Sequence, residues 1–171
     1  MKVGVFGSAL NPMTMGHVDA IKQALEHCDK VLVVPSYSHP FGKSMKPFSV
    51  RCDIAEATIS AEFDGLVEIC RIEESIYDPS NARPVCTFDL LESLSAKEPD
   101  IEFVFLCGTD NVVILEKFYR YEEIISKWRF LELKERKQIR STLVRNNIAK
   151  NKSITSLVSA SVIETVSEVY K

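Results

Sequence analysis

Val3-Gly4-Val5-Phe6-Gly7-Ser8-Ala9-Leu10-Asn11-Pro12-Met13-Thr14-Met15-Gly16-His17 lies at the head of the chain, and its reading decides the fold. Val3 to Phe6 is a short apolar run that suits a buried strand, Gly7 to Met13 is a loop, and a helix opens at Thr14 to His17. The helix carries Val18, Ile21, Ala24, Leu25 and Cys28 at the three-and-four spacing of one buried face. Lys30-Val31-Leu32-Val33-Val34-Pro35 then reads as a second, fully buried strand, so residues 3–35 make a right-handed crossover in a parallel sheet. A helix that opens directly after a parallel strand turns unpaired N–H groups and its positive dipole end toward the sheet edge, where a phosphate can sit. Gly7 and Gly16 leave room for a ligand to approach the backbone, and Ser8 shares that loop. Thr14 can cap the helix or donate to an oxygen, and His17 would point at the same anion.

Beyond this unit the pattern keeps alternating. Residues 36–47 form a Ser/Pro/Gly-rich loop with His39, Lys43 and Lys46, a basic loop at the same edge. Residues 48–63 read as a helix with Val50, Ile54, Ala57 and Ile59 inward and Arg51 near its start. Residues 66–72 read as a third strand, 73–84 as a long polar loop, and 87–97 as a helix with Phe88, Leu90, Leu91 and Leu94 buried. A strand at 102–107 ends abruptly in Gly108-Thr109-Asp110-Asn111, a second edge suited to building a site. Residues 112–127 read as a helix with Leu115, Phe118, Ile124 and Ile125 inward, 129–133 as a fifth strand, and 134–138 as a solvated turn. Ile139-Arg140-Ser141-Thr142-Leu143-Val144-Arg145 starts a helix that Ser141 or Thr142 would cap, and 153–170 reads as a closing amphipathic helix. With no repeat, low-complexity tract or linker, the expectation is an α/β fold: one Rossmann-like, doubly wound domain over residues 1–171, with a parallel sheet of about five strands and a C-terminal helical segment.

At 171 residues the chain can bury a substantial core without staples. Its net charge of −3 gives no electrostatic footprint for nucleic acid or an anionic membrane, so an anionic substrate must be met by a local basic cluster. No apolar stretch is long enough to span a bilayer and the first strand starts at once, which points to the cytoplasm. Cys28, Cys52, Cys70, Cys86 and Cys107 lack the short spacings of a zinc site and read as reduced, buried thiols. Oligomeric state is not legible, and a homo-oligomer is left open.

Gly7 to His17 resembles the (His/Thr)-x-Gly-His signature of the adenylyltransferases related to class I aminoacyl-tRNA synthetases. Gly108-x-Asp110 looks like their ribose-binding Gly-x-Asp, and Ile139 to Arg145 looks like their Ile-Ser-Ser-Thr-x-x-Arg motif. The resemblance covers nearly the whole chain and is strongest to the nicotinate or nicotinamide mononucleotide adenylyltransferases, because Thr87-Phe88-Asp89-Leu90-Leu91 is similar to their Thr-x-Asp-Thr-Leu helix start. Two departures stand out. Phe118 occupies the place of a Trp that stacks on the pyridine ring, and can either stack or pack inward. Arg140 occupies the place of the motif's first Ser.

The resemblance implies transfer of AMP from ATP to the 5′-phosphate of a mononucleotide by in-line attack, with no protein nucleophile, so that alignment and charge stabilisation supply the catalysis. His17 would donate to the α-phosphate with help from Thr14, and Ser141, Thr142 and Arg145 would hold the β- and γ-phosphates. Asp110 would accept from the ribose, beside Gly7, Ser8, Gly16 and Gly108 around the nucleotide. Lys43 and Arg51 would meet the mononucleotide phosphate, with Thr87 and Phe118 near its base. Mg²⁺ would ride on ATP oxygens and water rather than on protein ligands. The competing readings are a pantetheine-phosphate adenylyltransferase, more distantly a cytidylyltransferase, and, from another class, a sensor that binds adenine nucleotide without turnover.

Overall fold

The computed structural model describes residues 1–39, 44–81 and 83–171. Among them, β1 (Lys2–Ser8), β2 (Lys30–Pro35), β3 (Val67–Ile69), β4 (Glu102–Gly108) and β5 (Arg129–Leu133) form one sheet in the order β3-β2-β1-β4-β5, each pair parallel. The interior strands are near-continuous apolar runs, which only a sheet covered on both faces can bury. Val31, Val33, Val104 and Leu106 turn to one face, against Val18, Ile21 and Ala24 of α1 (Met15–Leu25) and Ala55 and Ile59 of α2 (Phe48–Glu62). Their neighbours Val34, Phe103, Phe105 and Cys107 alternate to the other face. There they meet α3 (Ile72–Ile76), α4 (Thr87–Lys97), the 3₁₀ turn Leu115–Lys117 that follows α5 (Thr109–Ile114), and α6 (Tyr121–Lys127). A third cluster joins Ile54 of α2 to Val144 of α7 (Ser141–Ala149), Val166 of α8 (Ile163–Val169), and Ile154, Val158, Val162 and Tyr170.

The strand order places the site. The chain winds outward from β1 to β3, then returns to lay β4 on the other side of β1. Between the C-terminal ends of β1 and β4 the connections therefore diverge, leaving the crevice in which an open parallel sheet binds its ligands.

Several expected elements are shorter than their patterns suggest. The third strand keeps only Val67–Ile69, because Leu66 is exposed and Ile72 turns inward to begin α3, which takes the first part of the expected 73–84 loop and buries Glu73. In α2 the buried stripe runs through Ala55 and Thr58, leaving Ala57 outside. The 112–127 helix is broken: α5 stops at Ile114, the 3₁₀ turn follows, and Arg120 at φ 56° redirects the chain into α6. Within α6 only Ile124 is buried, while Ile125 is exposed. Residues 153–159 are irregular rather than helical because Ile154 and Val158 sink into the third cluster, and the closing helix is confined to a 3₁₀ turn and α8. Among the described residues no helix is long and apolar enough to cross a membrane.

Candidate active site

The loop from Ala9 to Thr14 leaves β1 at the crevice and is fastened from every side. Arg51 donates to the Ala9 carbonyl at 2.6 Å and to that of Lys46 at 2.8 Å. Arg145 Nη1 donates to the Asn11 carbonyl at 2.6 Å, Ser141 Oγ to that of Pro12 at 2.7 Å, and the Tyr170 hydroxyl to Asn11 Oδ1 at 2.7 Å. Leu10 accepts the left-handed conformation, φ 48°, while its side chain is buried in the core, so packing and hydrogen bonds together hold a backbone shape that is unfavourable in isolation.

At the end of this loop Thr14 caps α1, its Oγ1 accepting from the N–H groups of Gly16 and His17 and donating to the Ile139 carbonyl at 3.1 Å. The Thr14 N–H donates to His17 Nδ1 at 2.9 Å. With Nδ1 an acceptor, the ring proton sits on Nε2, which lies 3.3 Å from Ser8 Oγ. Burial holds the imidazole pKa down at about 4, so at neutral pH His17 is an uncharged N–H donor.

A cleft of about 330 Å³ opens here. Gly7, Ser8, Gly16 and His17 line one side and Gly108, Asp110 and Asn111 the next. The far wall comes from the connection after β5, with Lys134, Glu135, Lys137 and Arg140, and from Ser141 at the head of α7. The expected solvated turn at 134–138 is thus part of the site. Applying the strand-end rule to the fifth strand, as to the first and fourth, would have found it.

The structure brings His17, Gly7, Ser8, Gly16, Gly108, Asp110 and Ser141 to this cleft and keeps other expected residues away from it. Thr14 is fully buried and engaged, so it serves the loop and His17 rather than a ligand. Gly16 lines the cleft, but the space its missing side chain leaves is taken by protein: a Cβ there would lie 2.3 Å from the Ile139 carbonyl oxygen, so the glycine admits the α7 connection. The first turn of α1 is not an open anion site either, because Met15 N–H donates to the Leu157 carbonyl and the next two N–H groups to Thr14. The exposed helix end is that of α7, where Arg140 is the N-cap and no side chain caps it. Ser141 and Thr142 do not cap because Ser141 reaches Pro12 and Thr142 Oγ1 accepts from Arg145 at 3.2 Å.

Arg51 is fully buried, and desolvation lowers its pKa; it clamps two loops and is not at hand for a mononucleotide phosphate. Thr87 heads α4 on the other face of the sheet. Phe118 is partly buried, with its ring 6.2 Å from that of Phe105, which favours the packing alternative. Lys43 lies outside the described residues. In the neighbouring loop Tyr37 packs on Tyr77 and Phe48, and its N–H donates to Glu73 Oε2 at 2.8 Å.

Residues 5–147 match the cytidylyltransferase-like family. A probable nicotinate-nucleotide adenylyltransferase of Myxococcus xanthus is 31% identical, over 95% of this chain and 90% of the relative. A second, from Anaeromyxobacter dehalogenans, is 27% identical over 98% and 94%. Among solved structures, a Vibrio parahaemolyticus protein named for the same activity superposes with a TM-score of 0.81 at 32% identity, covering 99% of this chain and 97% of its own. The Plasmodium falciparum nicotinic acid mononucleotide adenylyltransferase, in its complex with NaAD, shares the fold at a TM-score of 0.74 and 17% identity, over 99% and 97%.

Proposed function

Because the chain belongs to the cytidylyltransferase-like family, with nicotinate-nucleotide adenylyltransferases as its relatives, we propose that it transfers AMP from ATP to nicotinate or nicotinamide mononucleotide, releasing pyrophosphate and forming the dinucleotide of NAD biosynthesis. The observation that carries this reading is the meeting of His17, Gly108 to Asp110 and the head of α7 in one cleft at the switch point of the sheet. The mononucleotide phosphate attacks the α-phosphorus in line, and negative charge grows on the α-phosphate oxygens. His17 meets that charge with Nε2–H, oriented in advance by Thr14, so little reorganisation is needed as the reaction proceeds. The departing pyrophosphate lies toward the uncapped N-terminus of α7 and the cations Lys134 and Lys137. Asp110 accepts from the ribose. Arg145 and Thr142 support the motif loop in the free protein and are assigned to the phosphates by resemblance alone, as Lys43 is to the acceptor phosphate and Thr87 and Phe118 to its base.

Mg²⁺ supplies charge neutralisation of the triphosphate. The ion would be carried chiefly by substrate oxygens and water rather than by a set of protein ligands. The family alignment over residues 5–147 and the third cluster, which ties α7 and α8 to α2, support a single catalytic domain over residues 1–171; small-molecule substrates and a cytoplasmic location belong to the same proposal.

Pyrophosphate release and product mass test the proposal, with ATP, Mg²⁺ and, separately, nicotinate mononucleotide, nicotinamide mononucleotide and phosphopantetheine. Dinucleotide from a pyridine substrate is the expected result. Turnover with phosphopantetheine alone, or ATP binding without any turnover, overturns it.

A further inference from the structure

Arg140, the residue that replaces the motif serine, is held across the cleft. Its Nε and Nη2 donate to Glu135 Oε1 and Oε2 at 3.0 and 2.7 Å, and the same Nη2 lies 2.9 Å from Asp110 Oδ2. Glu135 belongs to the connection after β5 and Asp110 to the first turn of α5, so one guanidinium links two walls of the site. The two pairings differ in kind. With Glu135 two nitrogens meet two oxygens, a planar fork that fixes the direction of the guanidinium. With Asp110 there is a single contact, to Oδ2.

The Arg140 and Asp110 side chains are 61% and 72% exposed, and exposed pairs of this kind contribute little to stability. What the arrangement does supply is direction. A carboxylate at the mouth of an open cleft otherwise rotates freely, and that freedom is lost when a nucleotide binds. A serine at position 140 has one proton to donate and cannot serve both carboxylates. We infer that Arg140, anchored by Glu135, is a positioning residue for Asp110, fixing Oδ2 so that Oδ1 is left to accept from a ribose hydroxyl of the bound nucleotide. The inference rests on the adenylyltransferase reading, in which Asp110 meets the ribose. A nucleotide seated over the three side chains also excludes water from them, which strengthens the network when it is needed.

The test compares ATP with 2′,3′-dideoxy-ATP, which lacks both ribose hydroxyls. Binding is measured by calorimetry and ATP turnover by steady-state kinetics, in the parent protein, Arg140→Ser, Asp110→Asn and the double variant, with melting curves to verify folding. Arg140→Ser is expected to weaken ATP binding and raise its KM about three- to tenfold, with kcat changing less than about twofold, while affinity for the dideoxy analogue barely moves. In the Asp110→Asn background the same substitution should add little, because the group it positions is already altered. Glu135→Gln should reproduce the Arg140 effect in weaker form. Equal losses on both nucleotides, additive losses in the double variant, or unchanged ATP affinity in a folded Arg140→Ser protein each overturn the positioning role. A parent protein that binds no ATP overturns the adenylyltransferase reading itself, and the inference with it.

Discussion

At the scale of a residue, His17 shows how a backbone contact decides chemistry. An imidazole in water takes up a proton near pH 6.5, but here burial holds its pKa at about 4 and the Thr14 N–H occupies Nδ1. In the proposed reaction His17 would therefore act as a fixed donor and not as a general acid that cycles its proton. Two outcomes are expected. His17→Ala should lower kcat by about 10²- to 10³-fold while changing the dissociation constant for ATP only a few-fold, because the donor matters most when charge has built up on the α-phosphate. The kcat profile of the parent protein should also show no inflection from His17 between pH 5.5 and 8. Stopped-flow binding and pH-rate measurements check both, and comparable losses in kcat and affinity would instead favour a nucleotide sensor.

At the scale of elements, the site depends on how closely α1 and the head of α7 approach. Gly16 lets the Ile139 carbonyl sit where a side chain would otherwise be, and that same carbonyl accepts from Thr14, the cap of α1. Gly16→Ala places a methyl against backbone that has little freedom to yield. It is expected to cost about 1–3 kcal/mol in urea denaturation and to reduce kcat through displacement of the α7 head from His17. A fully stable, fully active Gly16→Ala would show that the two elements can separate without consequence.

This contact also marks the limit of what the sequence made legible. The five strands, the crossover and the gathering of the three motifs follow from apolar runs and from where they stop, because burial on two faces is written locally. That Gly16 faces the Ile139 backbone and that Thr14 is sealed beneath it are facts about segments that meet across more than a hundred residues, and Arg51 is sealed against a loop 42 residues away, which no local pattern encodes; the wall at 134–138, by contrast, follows once the strand-end rule is applied to β5. The segment at 153–159 departs from its pattern for a related reason: its apolar residues are spaced as in a helix, but they are drawn one by one into a cluster built by α2 and α7.

At the scale of the whole molecule, two desolvated titratable groups, half-buried His17 and buried Glu73, oppose each other in the dependence of stability on pH. His17 has a folded pKa of about 4 against an ordinary 6.5, so between those values the unfolded chain binds the extra proton and stability falls as pH falls. Glu73 is the reverse case. Desolvation pushes its carboxyl up to about 7 from 4.5, the folded state binds the extra proton in that window, and stability falls as pH rises. Between pH 4.5 and 6.5 the two slopes run in opposite directions, each at most about 1.4 kcal/mol per pH unit for one proton. Glu73→Gln separates them, since the amide keeps an acceptor for the Tyr37 N–H and the shape of the neutral acid but cannot ionise. Relative to the parent protein, the variant is expected to be about equally stable at pH 4.5 and to gain steadily until it is about 3 kcal/mol more stable at pH 7 and above. Urea denaturation of both proteins at pH 4.5, 5.5, 7 and 8 reads the difference directly, and every other titrating group cancels from it. A difference that stays constant across those four values would mean that Glu73 ionises alike in the folded and unfolded chains, and that the aromatic packing of Tyr37, Tyr77 and Phe48 admits enough water to keep its carboxylate charged.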